Sequence, residues 1–155
     1  MKTTARDIMS TEFSPLRPET SIVEAVKLFR HREAGGRRVF GIMVTDDDEH
    51  LVGMLSMYDI LLFMRPKHIH IWGMMDDIDI AGVIANACNQ VKPIRVGDLM
   101  TVEVVTVPPQ THLLMVLDLM IKKHIRRLPV IEAGKIVGIV YISDLFYHLL
   151  DRLDA

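Results

Sequence analysis

The chain carries one cysteine, Cys88, among 155 residues. That excludes a disulfide framework and any metal site built from several thiolates. A basic surplus is also lacking: 18 lysines and arginines face 20 aspartates and glutamates, for a formal charge of −2. Nucleic acid is therefore not expected as a partner, although Arg37-Arg38 and Lys122-Lys123 with Arg126-Arg127 form local basic clusters. No apolar run approaches the ~20 residues that span a bilayer, residues 60–64 being far too short, so no membrane partner is expected. The opening MKTTARDIMS has no apolar stretch of the kind a signal peptide needs, and a cytoplasmic protein is expected. Catalytic signatures are missing too. There is no G-x-S-x-G, H-E-x-x-H, phosphate-binding loop or Cys–His constellation, and the chain is not expected to be an enzyme.

What is present is a globular composition, 50% hydrophobic and 25% charged, on a chain long enough to bury a core without a covalent or metal staple. It is also written twice. Arg6-Asp7-Ile8-Met9 matches Gly97-Asp98-Leu99-Met100, and Pro18-Glu19-Thr20 matches Pro109-Gln110-Thr111, both at an offset of 91. Further on the offset is 85, from GMLSMYD beginning at Gly53 to GIVYISD beginning at Gly138. A drifting offset marks a duplicated unit with one loop indel. The shortening falls where residues 34–41 have a briefer counterpart, residues 123–128.

Each copy reads as β-α-β-β-α after a short amphipathic piece that ends at Met9 or Met100. Residues 102–107 are β-branched and stopped by Pro108-Pro109, which predicts a strand. Thr20-Ser21 and Thr111 supply caps for helices with apolar residues at Ile22, Ala25, Val26, Leu28, Phe29 and at Leu113, Leu114, Val116, Leu117, Met120. Hairpins come next around Asp46-Asp47-Asp48-Glu49 and around Ala133-Gly134, and a last helix closes each copy. The expected class is α+β: two pseudo-symmetric repeats, residues 4–64 and 94–150, packed sheet to sheet, with a partly helical insert over residues 65–93. In the insert, Asp76-Asp77-x-Asp79 reads as an acidic helix start, and the run after it carries Ile80, Val83, Ile84 and Ala87 on one face.

Ser56-x-x-Asp59 before an apolar run fits a capping box. Taken alone it favours the cap, and whether it also holds a ligand is open at this point. Serine at a helix start stands beside free N–H groups, and a carboxylate can accept from two adjacent hydroxyls at once. The two roles are compatible. Tyr141 stands where the second copy would need that serine, yet Asp144 keeps the spacing.

With this order in hand, DIM…PET…LVGMLSMYDI and DLM…PPQT…RRLPVIEAGKIVGIVYISDL resemble a tandem pair of cystathionine-β-synthase (CBS) domains, a Bateman module. The ordered set occurring twice carries the resemblance more than any single motif. It implies binding of adenosine-containing ligands (AMP, ADP, ATP or S-adenosylmethionine) in clefts between repeats, and frequent disk-like dimers. Residue by residue, it implies that Ser56 meets phosphate and Asp59 takes the ribose hydroxyls, with Asp144 in the second copy. Arg126 and Arg127 fall on the family's basic positions, where arginine gives forked bonds to phosphate. The segments around Phe13-Ser14-Pro15 and Val104-Val105-Thr106 would sandwich the base. In the first copy no arginine occupies the two positions ahead of Ile42; Arg37 and Arg38 sit further upstream. Ser143, beside Asp144, is a substitute donor for the hydroxyl that Tyr141 replaces.

Plainer readings stand beside these. Arg126-Arg127 also fits a solvated charge pair after a helix, His124 an exposed helix end with phosphate contact second, and Arg37-Arg38 loop solvation. His68-x-His70-x-Trp72 would share a face on an extended segment, but it reads better as a strand or dimer contact, and no metal is expected. The run at residues 46–49 reads as a turn, lacking the ligand spacing of a calcium loop. The methionines are core filler or an adaptable interface. The expected function is a nucleotide-sensing module, a homodimer that signals to an effector protein. A scaffold with an empty nucleotide site is the alternative from a different class.

Overall fold

A computed structural model describes residues 4–30, 38–66 and 79–153. In chain order these form α1 (Ala5–Ile8), α2 (Ile22–Phe29), β1 (Gly41–Thr45), β2 (Leu51–Ser56), α3 (Met57–Met64) and α4 (Ile80–Val91). Then come α5 (Val96–Leu99), α6 (Leu113–Lys123), β3 (Arg127–Glu132), β4 (Lys135–Tyr141) and α7 (Ile142–Leu153). Among the described residues no helix is long and apolar enough to cross a membrane.

The elements sort into two compact units, each with its own core. One holds α2, β1, α3, α4, α5 and residues 52–56 of β2. Its core is built on Leu16, Ile22, Ala25, Val44, Leu55, Ile60 and Val96. The other holds α1, the tip of the first hairpin (Asp46–Leu51), α6, β3, β4 and α7. Its core is built on Ala5, Val107, Val116, Met120, Leu128, Val130, Val140 and Leu145. Each unit thus takes its short leading helix from the start of the other repeat. In the first, Val96 and Gly97 N–H donate to the carbonyls of Thr20 and Pro18, both at 2.8 Å. In the second, Ala5 and Arg6 N–H donate to the carbonyls of Thr111 and Pro109, both at 2.9 Å, and Arg6 pairs with Glu132.

Local chemistry explains most of the elements. Ser21 caps α2 by accepting from the Glu24 N–H at 3.2 Å. The β3–β4 hairpin turns on Ala133 and Gly134 with φ of 53° and 81°, the two positive values a two-residue type I′ turn demands. The first hairpin turns differently: Asp46 Oδ1 accepts from the N–H of both Asp48 and His50 at 2.9 Å, and Glu49 takes φ 67°. Strand β1 is buried throughout, as a strand between two neighbours must be. One neighbour is β2; the other is Leu16, bridged in parallel to Val44.

Three expectations are corrected. Residues 102–107 do not form a strand: Val107 alone makes a parallel bridge, to Val130, and Pro108, without an N–H, ends the ladder there. Helix α6 is capped by His112, whose Nδ1 accepts from the Leu114 N–H at 3.1 Å, while Thr111 gives its carbonyl to Ala5. On α4 the half-buried stripe is Val83, Ala87 and Cys88 leading to buried Val91, and Ile80 and Ile84 face outward. Of the acidic start, Asp79 is the N-cap and accepts from the Gly82 N–H at 3.0 Å. Asp76 and Asp77 lie outside the described residues.

Gly53 shows why its position excludes a side chain. A Cβ there would meet the Met100 Sδ at 2.7 Å and the Thr101 carbonyl oxygen at 2.9 Å. The thioether can swing away, but the carbonyl is held in an antiparallel bridge to Met54. Gly53→Ala is therefore expected to cost about 1–3 kcal/mol in urea unfolding. A variant as stable as the parent would show that the bridge gives way freely.

Candidate functional site

Strand β2 ends on Ser56 and α3 begins at Met57, so the Ser56 side chain stands at a helix start. Ser56 Oγ accepts from the Asp59 N–H at 3.1 Å, and Asp59 Oδ2 accepts from the Ser56 N–H at 2.9 Å. The capping box read from the sequence is in place. The carboxylate does more than cap. Its other oxygen, Oδ1, accepts from the Thr101 hydroxyl at 3.2 Å. A carboxylate has about four acceptor positions, so half-buried Asp59 keeps capacity for further donors.

Thr101 was not among the residues expected from sequence. Its signal was present: a hydroxyl residue comes directly after the duplicated Asp-x-Met in both copies, as Ser10 and Thr101. The main chains of Thr101 and Met54 exchange two hydrogen bonds of 2.9 Å. Ser10 makes the equivalent exchange with Ile139 at 2.8 and 2.9 Å, and there the hydroxyl accepts from the Glu12 N–H at 3.3 Å.

In the other unit, Tyr141 closes β4, buried, opposite Arg127. The Ile142 N–H that opens α7 donates to the Arg126 carbonyl at 2.8 Å. The corresponding bond of the first repeat runs from Met57 N–H to the Phe40 carbonyl at 3.0 Å. This pair of bonds aligns Phe40 with Arg126 and Gly41 with Arg127. Where one repeat has two guanidinium groups, the other has a partly exposed phenylalanine and a glycine. Arg38 is exposed ahead of buried Val39.

Asp144, half-buried, and Ser143, exposed, lie in the first turn of α7. Arg126, Arg127, Tyr141 and Asp144 each have an interaction partner. His124 ends α6 in the left-handed conformation, φ 53°, its N–H turned back to the carbonyls of Ile121 and Met120. Lys122 and Lys123 occupy the last turn of that helix, where cations are favoured. Val104 and Val105 are half-buried and Thr106 exposed, just ahead of the Val107 bridge.

The expected residues thus fall into two groups, Ser56, Asp59 and Arg38 in one unit and the remainder in the other. A groove of about 660 Å³ between α3 and α4, lined by Phe63, Pro66, Val83 and Ala87 among others, includes none of them. Asp46, Asp48 and His50 bring one ligand atom each within 4.8 Å of one another. The Asp46 carboxylate is already used to close the turn. His68, His70, Trp72 and Arg37 lie outside the described residues.

Residues 5–66 and 96–151 both match the CBS domain. The chloroplastic CBS domain-containing protein CBSX2 of Arabidopsis thaliana is 30% identical over 136 residues, covering 81% of this chain and 53% of that protein. The chain therefore spans about half the length of that relative. The crystal structure of CBSX2, described as a CBS-pair protein, aligns with a TM-score of 0.76 at 27% identity, over 100% of this chain and 99% of that one. A crystal structure of CBSX2 in complex with AMP aligns with a TM-score of 0.70 at 27% identity, over 96% of both chains.

Proposed function

The chain belongs to the CBS domain family as a tandem pair, and from that premise we propose that it is a regulatory module binding an adenosine-containing nucleotide. The AMP, ADP and ATP class is the best fit, with S-adenosylmethionine as a further candidate, and the state of the site passes to a partner protein. One observation carries the proposal: the Asp59 carboxylate, fixed by Ser56 and Thr101 at the start of α3, retains acceptor capacity. Vicinal ribose hydroxyls are the matching donors. The Ser56 hydroxyl, which accepts from the Asp59 N–H, still has its own proton to give to a phosphate oxygen. The complex of CBSX2 with AMP supports the same ligand class.

The two repeats bring unequal chemistry. The first offers hydroxyl and carboxylate, with Phe40 and Gly41 where the second has Arg126 and Arg127. The second offers the arginines and Asp144, with Tyr141 in the serine position. A ligand changes the state of such a module only through its differential affinity for two arrangements. The output passes through a homodimer, for which α3 and α7 offer exposed apolar side chains such as Tyr58, Leu61, Phe146 and Tyr147.

A thermal-shift panel of AMP, ADP, ATP and S-adenosylmethionine at millimolar concentration tests the proposal. At a hundredfold excess over Kd, the bound ligand is expected to add about 2.7 kcal/mol. If none of the four raises the melting temperature, the second reading takes over: an interaction scaffold with an empty site. Phe40 and Tyr141 are the residues that favour it.

A further inference from the structure

We infer that Thr101 is the positioning residue of the ribose carboxylate, setting the affinity for a vicinal diol through Asp59; this rests on the nucleotide reading above. The Thr101 backbone is pinned by its two-bond exchange with Met54. That approach is possible because Gly53 leaves room, the Thr101 carbonyl lying 2.9 Å from where a Cβ would stand. Threonine is β-branched and stiff at χ1, so a fixed backbone gives a fixed hydroxyl direction. The hydroxyl donates to Oδ1 of Asp59 while the Ser56 N–H donates to Oδ2. Two donors on different oxygens lock the rotation of the carboxylate plane. The acceptor positions left over then point in one set direction, as a pair of adjacent hydroxyls requires.

Thr101 is itself exposed, so its hydroxyl contributes little to a buried core. Its effect is concentrated on the carboxylate it orients. The link also joins the site to the chain: Asp59 and Thr101 are 42 residues apart, and Thr101 comes directly after the segment that carries α5. A diol drawing on Asp59 therefore acts on the residues that open the second repeat.

The test titrates the full chain with AMP and with 2′-deoxy-AMP by calorimetry, for the parent, Thr101→Val and Thr101→Ser. Losing a hydrogen bond to a charged group is expected to weaken AMP about tenfold in Thr101→Val. Binding of 2′-deoxy-AMP, which lacks one of the two hydroxyls, is expected to stay within about a factor of two. Thr101→Ser keeps the donor and is expected to recover most of the AMP affinity, its unbranched Cβ leaving χ1 freer than threonine's. The inference is overturned if Thr101→Val matches the parent, if it weakens both nucleotides equally, or if serine behaves like valine. A parent chain that binds neither nucleotide overturns the nucleotide reading itself, an outcome separate from all three.

Discussion

Asp59→Ala is expected to erase the gain in melting temperature that AMP gives the parent chain. With ligand at a hundredfold excess over Kd the parent gains about 2.7 kcal/mol. For a chain of this size each kcal/mol is worth roughly 2–4 °C, so a shift of about 5–11 °C should disappear. The substitution also removes half of a capping box, which costs the ligand-free protein about 1 kcal/mol. Capping loss and ligand loss must be separated, and the structure supplies the control. Asp79 caps α4 through the Gly82 N–H and is none of the residues assigned to the nucleotide. Asp79→Ala should lower the ligand-free melting temperature by a similar amount and keep the AMP gain in full. If Asp59→Ala also keeps the gain, Asp59 does not hold the ribose.

The second large effect concerns assembly. On α3, Tyr58 and Leu61 are 70% and 59% exposed, and on α7 Phe146 and Tyr147 are 57% and 61% exposed. Phe146 and Tyr147 also stack edge to face with centroids 5.5 Å apart. Exposed apolar side chains grouped on a helix in this way mark association surfaces. A carboxylate placed there costs a solvated surface little, but it costs several kcal/mol once a second copy covers it. Leu61→Asp and Phe146→Asp are each expected to halve the mass measured by light scattering at micromolar concentration, leaving far-ultraviolet circular dichroism unchanged. A variant that keeps the parent's mass takes its helix out of the interface. A parent chain that is monomeric at that concentration would falsify the dimer.

What the sequence made legible was local or periodic. The duplication, the Ala133-Gly134 turn and the Ser56-x-x-Asp59 box depend on residues a few positions apart, where turn and cap chemistry decides the outcome. The misses depend on distant partners. Thr111 looked like a cap, but the helix begins at Leu113, so His112 stands at the cap position and Thr111 one residue outside it, its carbonyl accepting from the Ala5 N–H. Residues 102–107 have the composition of a strand, yet β-propensity needs a ladder to act on, and only Val107 has one. Thr101 escaped notice because the hydroxyl repeated after Asp-x-Met does not say which carboxylate it meets, and Asp59 is 42 residues away. Ile80 and Ile84 have the period of a buried face, but periodicity does not say which way an apolar stripe turns.

The exchange of leading helices has a consequence for how this duplication could have arisen. A single ancestral copy would have had a bare seat over its strand glycine, of the kind Met100 and Met9 now fill over Gly53 and Gly138, and a loose helix with nowhere of its own to go. Two such molecules satisfy each other only by trading helices. Fusing them into one chain makes that trade permanent and intramolecular. Each half thus depends on a helix that the other half carries, and neither repeat contains the whole of its own unit.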